Sequence, residues 1–228
     1  MRTRLFNWQS ERFVYLNVEA APGAPLAAQG QDAFARAGVA LAALGLSLKE
    51  NVVRTRILGR TAQARTEGSN ARAAALTGNA RAAGSSYISP PHLGSAADIG
   101  IDLFAMAAPT NGAPRTVTEN EPVQSFIRHL VWGPMVFLAG MTCETQPTLA
   151  AQVADILPRL AALLAETGCG WKNVVRVSLF LHRSEQPDAL LKHIAAVAPV
   201  PLEHAEIEQV DGFSRPVKLV EIEITARR

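Results

Sequence analysis

The chemistry-bearing residues of this 228-residue chain are spaced in ways that exclude several site types at once. Its two cysteines, Cys143 and Cys169, make no disulfide framework and show no metal-site spacing, and are read as small apolar residues. None of the five histidines shows the close pairing of a metal-binding helix face, so no metal and no other cofactor is expected. There is no glycine-rich phosphate loop, no nucleophile elbow and no cysteine-histidine pair at a recognisable spacing. Three features stand out. His204 can change charge near neutral pH. Tyr87 follows two serines at a predicted strand start. Glu221 and Glu223 alternate with Val220, Ile222 and Ile224, which predicts a strand over 217–225 with both carboxylates on one face.

The elements that would position these residues occur twice. Asn51-Val52-Val53-Arg54 recurs as Asn173-Val174-Val175-Arg176, and the same shift sets Val14-Tyr15-Leu16 on Val136-Phe137-Leu138 and Ile57 on Leu179. Before each copy of the tetrapeptide lies a helical pattern. Leu149, Val153, Ile156, Leu160 and Leu163 form one apolar stripe, which Phe34, Ala37, Leu41 and Leu44 repeat more weakly. Pro158 falls inside the stronger helix, where a kink is expected. After the tetrapeptide, Val175, Val177, Leu179 and Leu181 alternate with Arg176, Ser178 and Phe180 as in a strand. A second helix is predicted over 62–80 and over 185–198, and two short strands close each half. Each half thus reads β-β-α-β-α-β-β. The expected domains are 1–108 and 123–228, joined by a linker over 109–122 that is rich in Pro, Thr, Asn and Gly.

Composition bounds what these units can do. With 48% hydrophobic and 18% charged residues the chain is a packed globular protein, not a disordered one. The net charge is +2 and the basic residues are scattered, which gives no support to nucleic-acid binding. The first residues lack the apolar centre of a signal peptide, and the apolar run 130–141 is broken by Gly133 and Pro134. It is shorter than the ~20 residues a membrane span needs. A cytoplasmic protein with no membrane partner is expected.

The second half resembles the Rid (YjgF-like) superfamily of enamine/imine deaminases. The likeness is carried by Val136-Phe137-Leu138-Ala139-Gly140, the helix over 152–166, the stretch from Gly170-Trp171 to Phe180-Leu181, and Leu219-Val220-Glu221-Ile222-Glu223. The first half resembles the family only through the repeat. The resemblance implies an α/β (α+β) chain of two tandem chorismate mutase-like units, each a mixed sheet with helices on one face. It also implies a homotrimer with ligand clefts between neighbouring units. The implied chemistry uses a glutamate near the C-terminus to activate water and relay protons, and an arginine to anchor a substrate carboxylate.

Glu221 matches that glutamate, and Gly140 matches a strand-end glycine that completes the pocket. The arginine has no match, because Glu203 or His204 stands in its place, and Arg215 is a candidate replacement. In the first half, Asp102 is expected at the glutamate position, Asn17 and Val18 replace the Ala-Gly pair, and Gly84-Ser85-Ser86-Tyr87 replaces the arginine segment. The first half is then either a structural partner that has lost its site, or a contributor of Ser85, Ser86, Tyr87 or Asp102 to a composite one.

Three functions follow from the resemblance. The first is hydrolysis or deamination of a small enamine, imine or related unsaturated metabolite, with Glu221 as proton relay. The second is a chorismatase-like activity, since Ser214-Arg215-Pro216-Val217-Lys218-Leu219-Val220-Glu221-Ile222-Glu223 is similar in spacing to the C-terminal segment of that branch. The third is non-catalytic binding of a small ligand, in keeping with the missing arginine.

Overall fold

A computed structural model describes residues 1–109 and 112–228, so that 110 and 111 of the expected linker lie outside the described residues. The first half runs β1 (Arg2–Trp8), β2 (Glu11–Glu19), α1 (Leu26–Ala42), the short α2 (Leu48–Asn51), β3 (Val52–Gly59), α3 (Ala62–Ala75), β4 (Ala83–Ile88) and β5 (Ile99–Met106). The second runs β6 (Arg115–Thr118), β7 (His129–Trp132), β8 (Met135–Leu138), β9 (Met141–Thr142), α4 (Leu149–Glu166), β10 (Val174–His182), α5 (Pro187–Val197), β11 (Ala205–Val210) and β12 (Val220–Arg227).

The first sheet has the order β1-β2-β5-β3-β4 and the second β11-β10-β12-β8-β7-β6, with β9 beside β12. Read from opposite ends, the shared part is one topology. The crossover pairs β3/β4 and β10/β11 are parallel and each brackets a helix, whereas the other neighbours are antiparallel. The chain is therefore two tandem α+β units. The segment expected as a linker differs in one respect: β6 lies inside it and pairs with β7, so the second sheet begins at Arg115.

Local chemistry accounts for the helices. Thr61 and Thr148 cap α3 and α4 by accepting bonds from the Ala64 and Ala151 amides at 3.1 and 3.3 Å. The apolar stripe of α4 is buried as its spacing requires, each fully buried Leu or Ile contributing about 1.5–3 kcal/mol. The helix runs through Pro158, which sits on the exposed side with Ala154, so water can reach the carbonyl that proline leaves unbonded. In the first half the helix stops at Ala42, and Leu44 packs from the loop beyond it.

A bulge lies at the same place in both units, between Val52 and Arg54 and between Val174 and Arg176. It turns Val174 onto the helix side of its sheet and Val175 onto the opposite side, so the expected alternation begins only at Arg176.

The helix-free faces of the two sheets pack on each other. Arg56 donates to Ser178 Oγ at 2.9 Å, a contact between residues 122 positions apart at the same place in the repeat. Leu58 and Phe180 share one apolar cluster, and Phe13 and Met135 another, at that same spacing. Equivalent residues meeting each other mark a local twofold axis between the units. Around it, Arg54 donates to the Leu138 and Ile224 carbonyls at 2.9 Å each, and the Tyr87 ring stacks on Phe180 at 4.0 Å.

Candidate active site

Strand β12 carries the two carboxylates. Val220, Ile222 and Ile224 point into the helix-side core, so alternation turns Glu221 and Glu223 toward the first half. Both are buried, yet their surroundings set them in opposite states. Glu223 accepts from Arg56 at 2.8 and 3.1 Å and from Ser85 at 2.5 Å, with an Arg54 nitrogen 3.2 Å away. Burial alone would raise its pKa, but the guanidinia of Arg56 and Arg54 and these hydrogen bonds hold it down at about 2.

Glu221 has no ion-pair partner within 4 Å among the described residues. Burial, and then the negative charge of Glu223, push its pKa up to about 8, so near neutral pH it is a carboxylic acid. Gly140 makes its place possible. The second sheet breaks there, β8 ending at Leu138 and β9 resuming at Met141, and the Glu221 carboxyl lies so close that a Cβ on residue 140 would stand 1.9 Å from Oε1.

Glu221 and Gly140 line a cleft of about 910 Å³ between the two units. The first half supplies one wall through Arg65, Ser69 and Arg72 of α3 and Ser85 and Ser86 of β4. The second half supplies Arg159, Arg215 and Lys218 on the other side. The cleft is strongly cationic, and several of these cations are already neutralised. Arg128 pairs with Glu166, Arg159 with Asp155 at 2.8 Å, and Lys218 with Glu144 at 2.9 Å.

Of the residues expected at the site, the structure brings Glu221, Gly140 and the exposed Arg215 together on this cleft. Three others need correction. His204 sits on an exposed turn and does not line the cleft, because that turn leads into β11 at the far side of the second sheet. Tyr87 is fully buried behind the carboxylates. Its hydroxyl donates to Glu223 at 3.3 Å and lies within hydrogen-bonding reach of Glu221.

Asp102 pairs with Arg56 across the sheet, and Glu223 pairs with Ser178, the repeat equivalent of Arg56. Asp102 therefore corresponds to Glu223, and Gly100 stands where Glu221 stands. The sequence comparison misplaced it by one strand repeat, since an acid two residues away offers the same side-chain type. Asp102 lies off the cleft and accepts from Tyr15 and Asn17 at 2.7 and 2.8 Å. Arg65 and Arg72 were missed altogether. Their i, i+4, i+7 spacing with Ser69 was legible as a polar helix face, but nothing in the sequence says what that face meets.

The sequence profile of the endoribonuclease L-PSP family matches residues 117–228. A RutC family protein from Synechocystis is 31% identical over 75 residues, 29% of this chain and 58% of that protein. Residues 117–228 belong to the endoribonuclease L-PSP (YjgF/Rid) family.

This chain thus spans little more than half the length of the RutC relative it matches. A chorismatase crystal structure superposes on 97% of this chain and 78% of its own at a TM-score of 0.68, with 16% identity. That likeness shows the fold, both units included. A YjgF-family structure from Mycobacterium tuberculosis covers 50% of this chain and all of its own, at 24% identity and a TM-score of 0.40. Among the described residues, no helix is long and apolar enough to cross a membrane, and no group of three or more His, Cys, Asp or Glu could hold a metal ion.

Proposed function

We propose that this Rid-family chain is a hydrolase that deaminates a small enamine or imine, with Glu221 as proton donor and relay. The observation that carries the reading is the buried, protonated Glu221 beside Gly140 on a cationic cleft. A carboxylic acid with a pKa near the working pH can both give and take a proton. In the first step the Glu221 acid donates its proton to the β-carbon of the enamine, whose nitrogen lone pair becomes the C=N bond of an iminium ion. Water then adds to the iminium carbon as the Glu221 carboxylate removes a proton, giving a neutral carbinolamine. The carbinolamine expels ammonia, leaving a carbonyl compound, and the glutamate is restored to its acid form. Enamine and water become ketone and ammonia.

The test is loss of freshly generated 2-aminoacrylate in the presence of the full chain. Wild type is expected to accelerate it, and Glu221→Gln to lower the rate by about 10²–10⁴-fold, the usual contribution of a positioned acid-base group. No acceleration over buffer, with wild type equal to the variant, would remove the reading. In that case, ligand-induced thermal stabilisation without turnover would support a binding protein.

A second reading rests on the two-unit likeness to chorismatase over nearly the whole chain. Protonation of an enol-ether double bond needs the same acid, and chorismate turnover followed by product chromatography tests it. The family resemblance also supports a homotrimer, which a monodisperse monomer in light scattering would contradict.

A further inference from the structure

Arg65, Ser69 and Arg72 share one face of α3 and open onto the cleft opposite Glu221. The two guanidinia converge, since Arg65 Nη1 donates to Ser86 Oγ at 2.8 Å and Arg72 Nη1 to the neighbouring Ser85 carbonyl at 2.8 Å. Gly84 leaves room for this approach, because a Cβ there would stand 2.7 Å from Arg72 Nη1. Neither arginine has a carboxylate partner among the described residues, in contrast to Arg128, Arg159 and Lys218 on the same cleft. The acid whose charge would act on both is Glu221, which is uncharged near neutral pH.

Two like charges side by side in a partly enclosed site repel each other. Burial lowers the pKa of both, Arg72 to about 10, although each stays charged at neutral pH. Two polar atoms on this face, Arg65 Nε and Ser69 Oγ, are buried without a hydrogen-bond partner, and such groups are few in folded proteins.

We propose that Arg65, Ser69 and Arg72 form a binding site in the first half for a doubly charged oxyanion, a phosphate dianion or a pair of carboxylates on one end of the ligand. A single carboxylate balances one guanidinium and leaves the other uncompensated, whereas two negative charges match the pair. Planar guanidinia suit either oxyanion through paired N–H donors. The site rests on the reading of this cleft as the ligand site and specifies which ligands enter it. It also assigns the first half a binding role that none of its family-matched positions supplies.

The test is thermal shift and calorimetric titration of the full chain with malonate, inorganic phosphate and acetate at matched ionic strength. Malonate, phosphate or both should stabilise the wild type in a saturable way, and acetate at equal concentration much less. A response to malonate alone assigns the carboxylate pair, and one to phosphate alone assigns the phosphate group. The double variant R65Q/R72Q should bind roughly 10- to 100-fold more weakly, as expected for lost charged hydrogen bonds. Ser69→Leu blocks the face without removing a charge, and it provides the same reading if the double variant does not fold. Arg215→Gln and Glu221→Gln should bind like wild type. Equal stabilisation by acetate, no stabilisation by any anion, wild-type binding by the α3 variants, or loss of binding in Arg215→Gln would overturn the proposal. Loss of enamine turnover as a reading leaves these binding results standing, so the two failures are distinguishable.

Discussion

In the second unit Glu221 packs against Gly140, whereas in the first Gly100 stands at the position of the glutamate and its strand partner is Glu19. In the second unit a strand break and a missing side chain admit a carboxyl group to the cleft. In the first unit β2 continues unbroken to Glu19, Val18 points into the helix-side core, and Leu93 lies over Gly100, 2.8 Å from where a Cβ would stand.

The difference extends to the neighbouring acids. Glu223 is held ionised by Arg56 and Arg54, while its counterpart Asp102 is raised by burial and held by neutral donors. The largest expected effect is therefore on stability. Glu223→Ala leaves two buried guanidinia without their partner and should cost about 3–5 kcal/mol in urea unfolding. If it costs no more than Asp102→Asn, the two acids are equivalent after all.

Gly140→Ala comes next. Its methyl group displaces the Glu221 carboxyl, and a shift of that size should lower turnover by about 100-fold. Gly100→Ala meets only the end of the Leu93 side chain and should leave turnover unchanged.

The pH dependence sharpens the contrast within β12. Folded Glu221 keeps its proton to about pH 8, whereas the unfolded chain releases it in the ordinary carboxylate range. Stability should therefore fall as pH rises through that window, and Glu221→Gln should flatten the slope. Glu223 acts in the reverse sense. Its contribution is present above the ordinary carboxylate range and is lost as pH falls toward about 2. Melting temperatures of wild type, Glu221→Gln and Glu223→Gln across pH 2–9 would separate the two. Turnover should decline above pH 8 as the acid form of Glu221 is lost, and Glu223→Gln should move that decline to lower pH.

The smallest effect is expected at Asp102, which is off the cleft and bound by uncharged donors. Asp102→Asn should cost about 1 kcal/mol, the range of a single hydrogen bond.

Much of this was legible in the sequence, because the repeat and the periodicities depend only on local order. The 122-residue shift, the apolar stripe of α4 and the alternation that turns Glu221 and Glu223 to one face follow from helix and strand geometry, and the structure keeps them. The linker was harder to read. Arg115–Thr118 is a short edge strand whose pairing with β7 outweighs its turn-like composition.

What the sequence could not decide was which surfaces meet. Placing Asp102 required the pairing of β5 with β3, because two acids at alternating positions look alike until the strands are in register. The protonated state of Glu221 depends on burial and on Glu223 beside it, and the ionised state of Glu223 depends on two arginines 167 and 169 residues away in the chain, Arg56 and Arg54. The sequence determined the two units and set Glu221 and Glu223 on one face of the last strand. Only the tertiary structure, by packing the helix-free sheet faces together, placed α3 of the first unit, with Arg65 and Arg72, on the same cleft as Glu221.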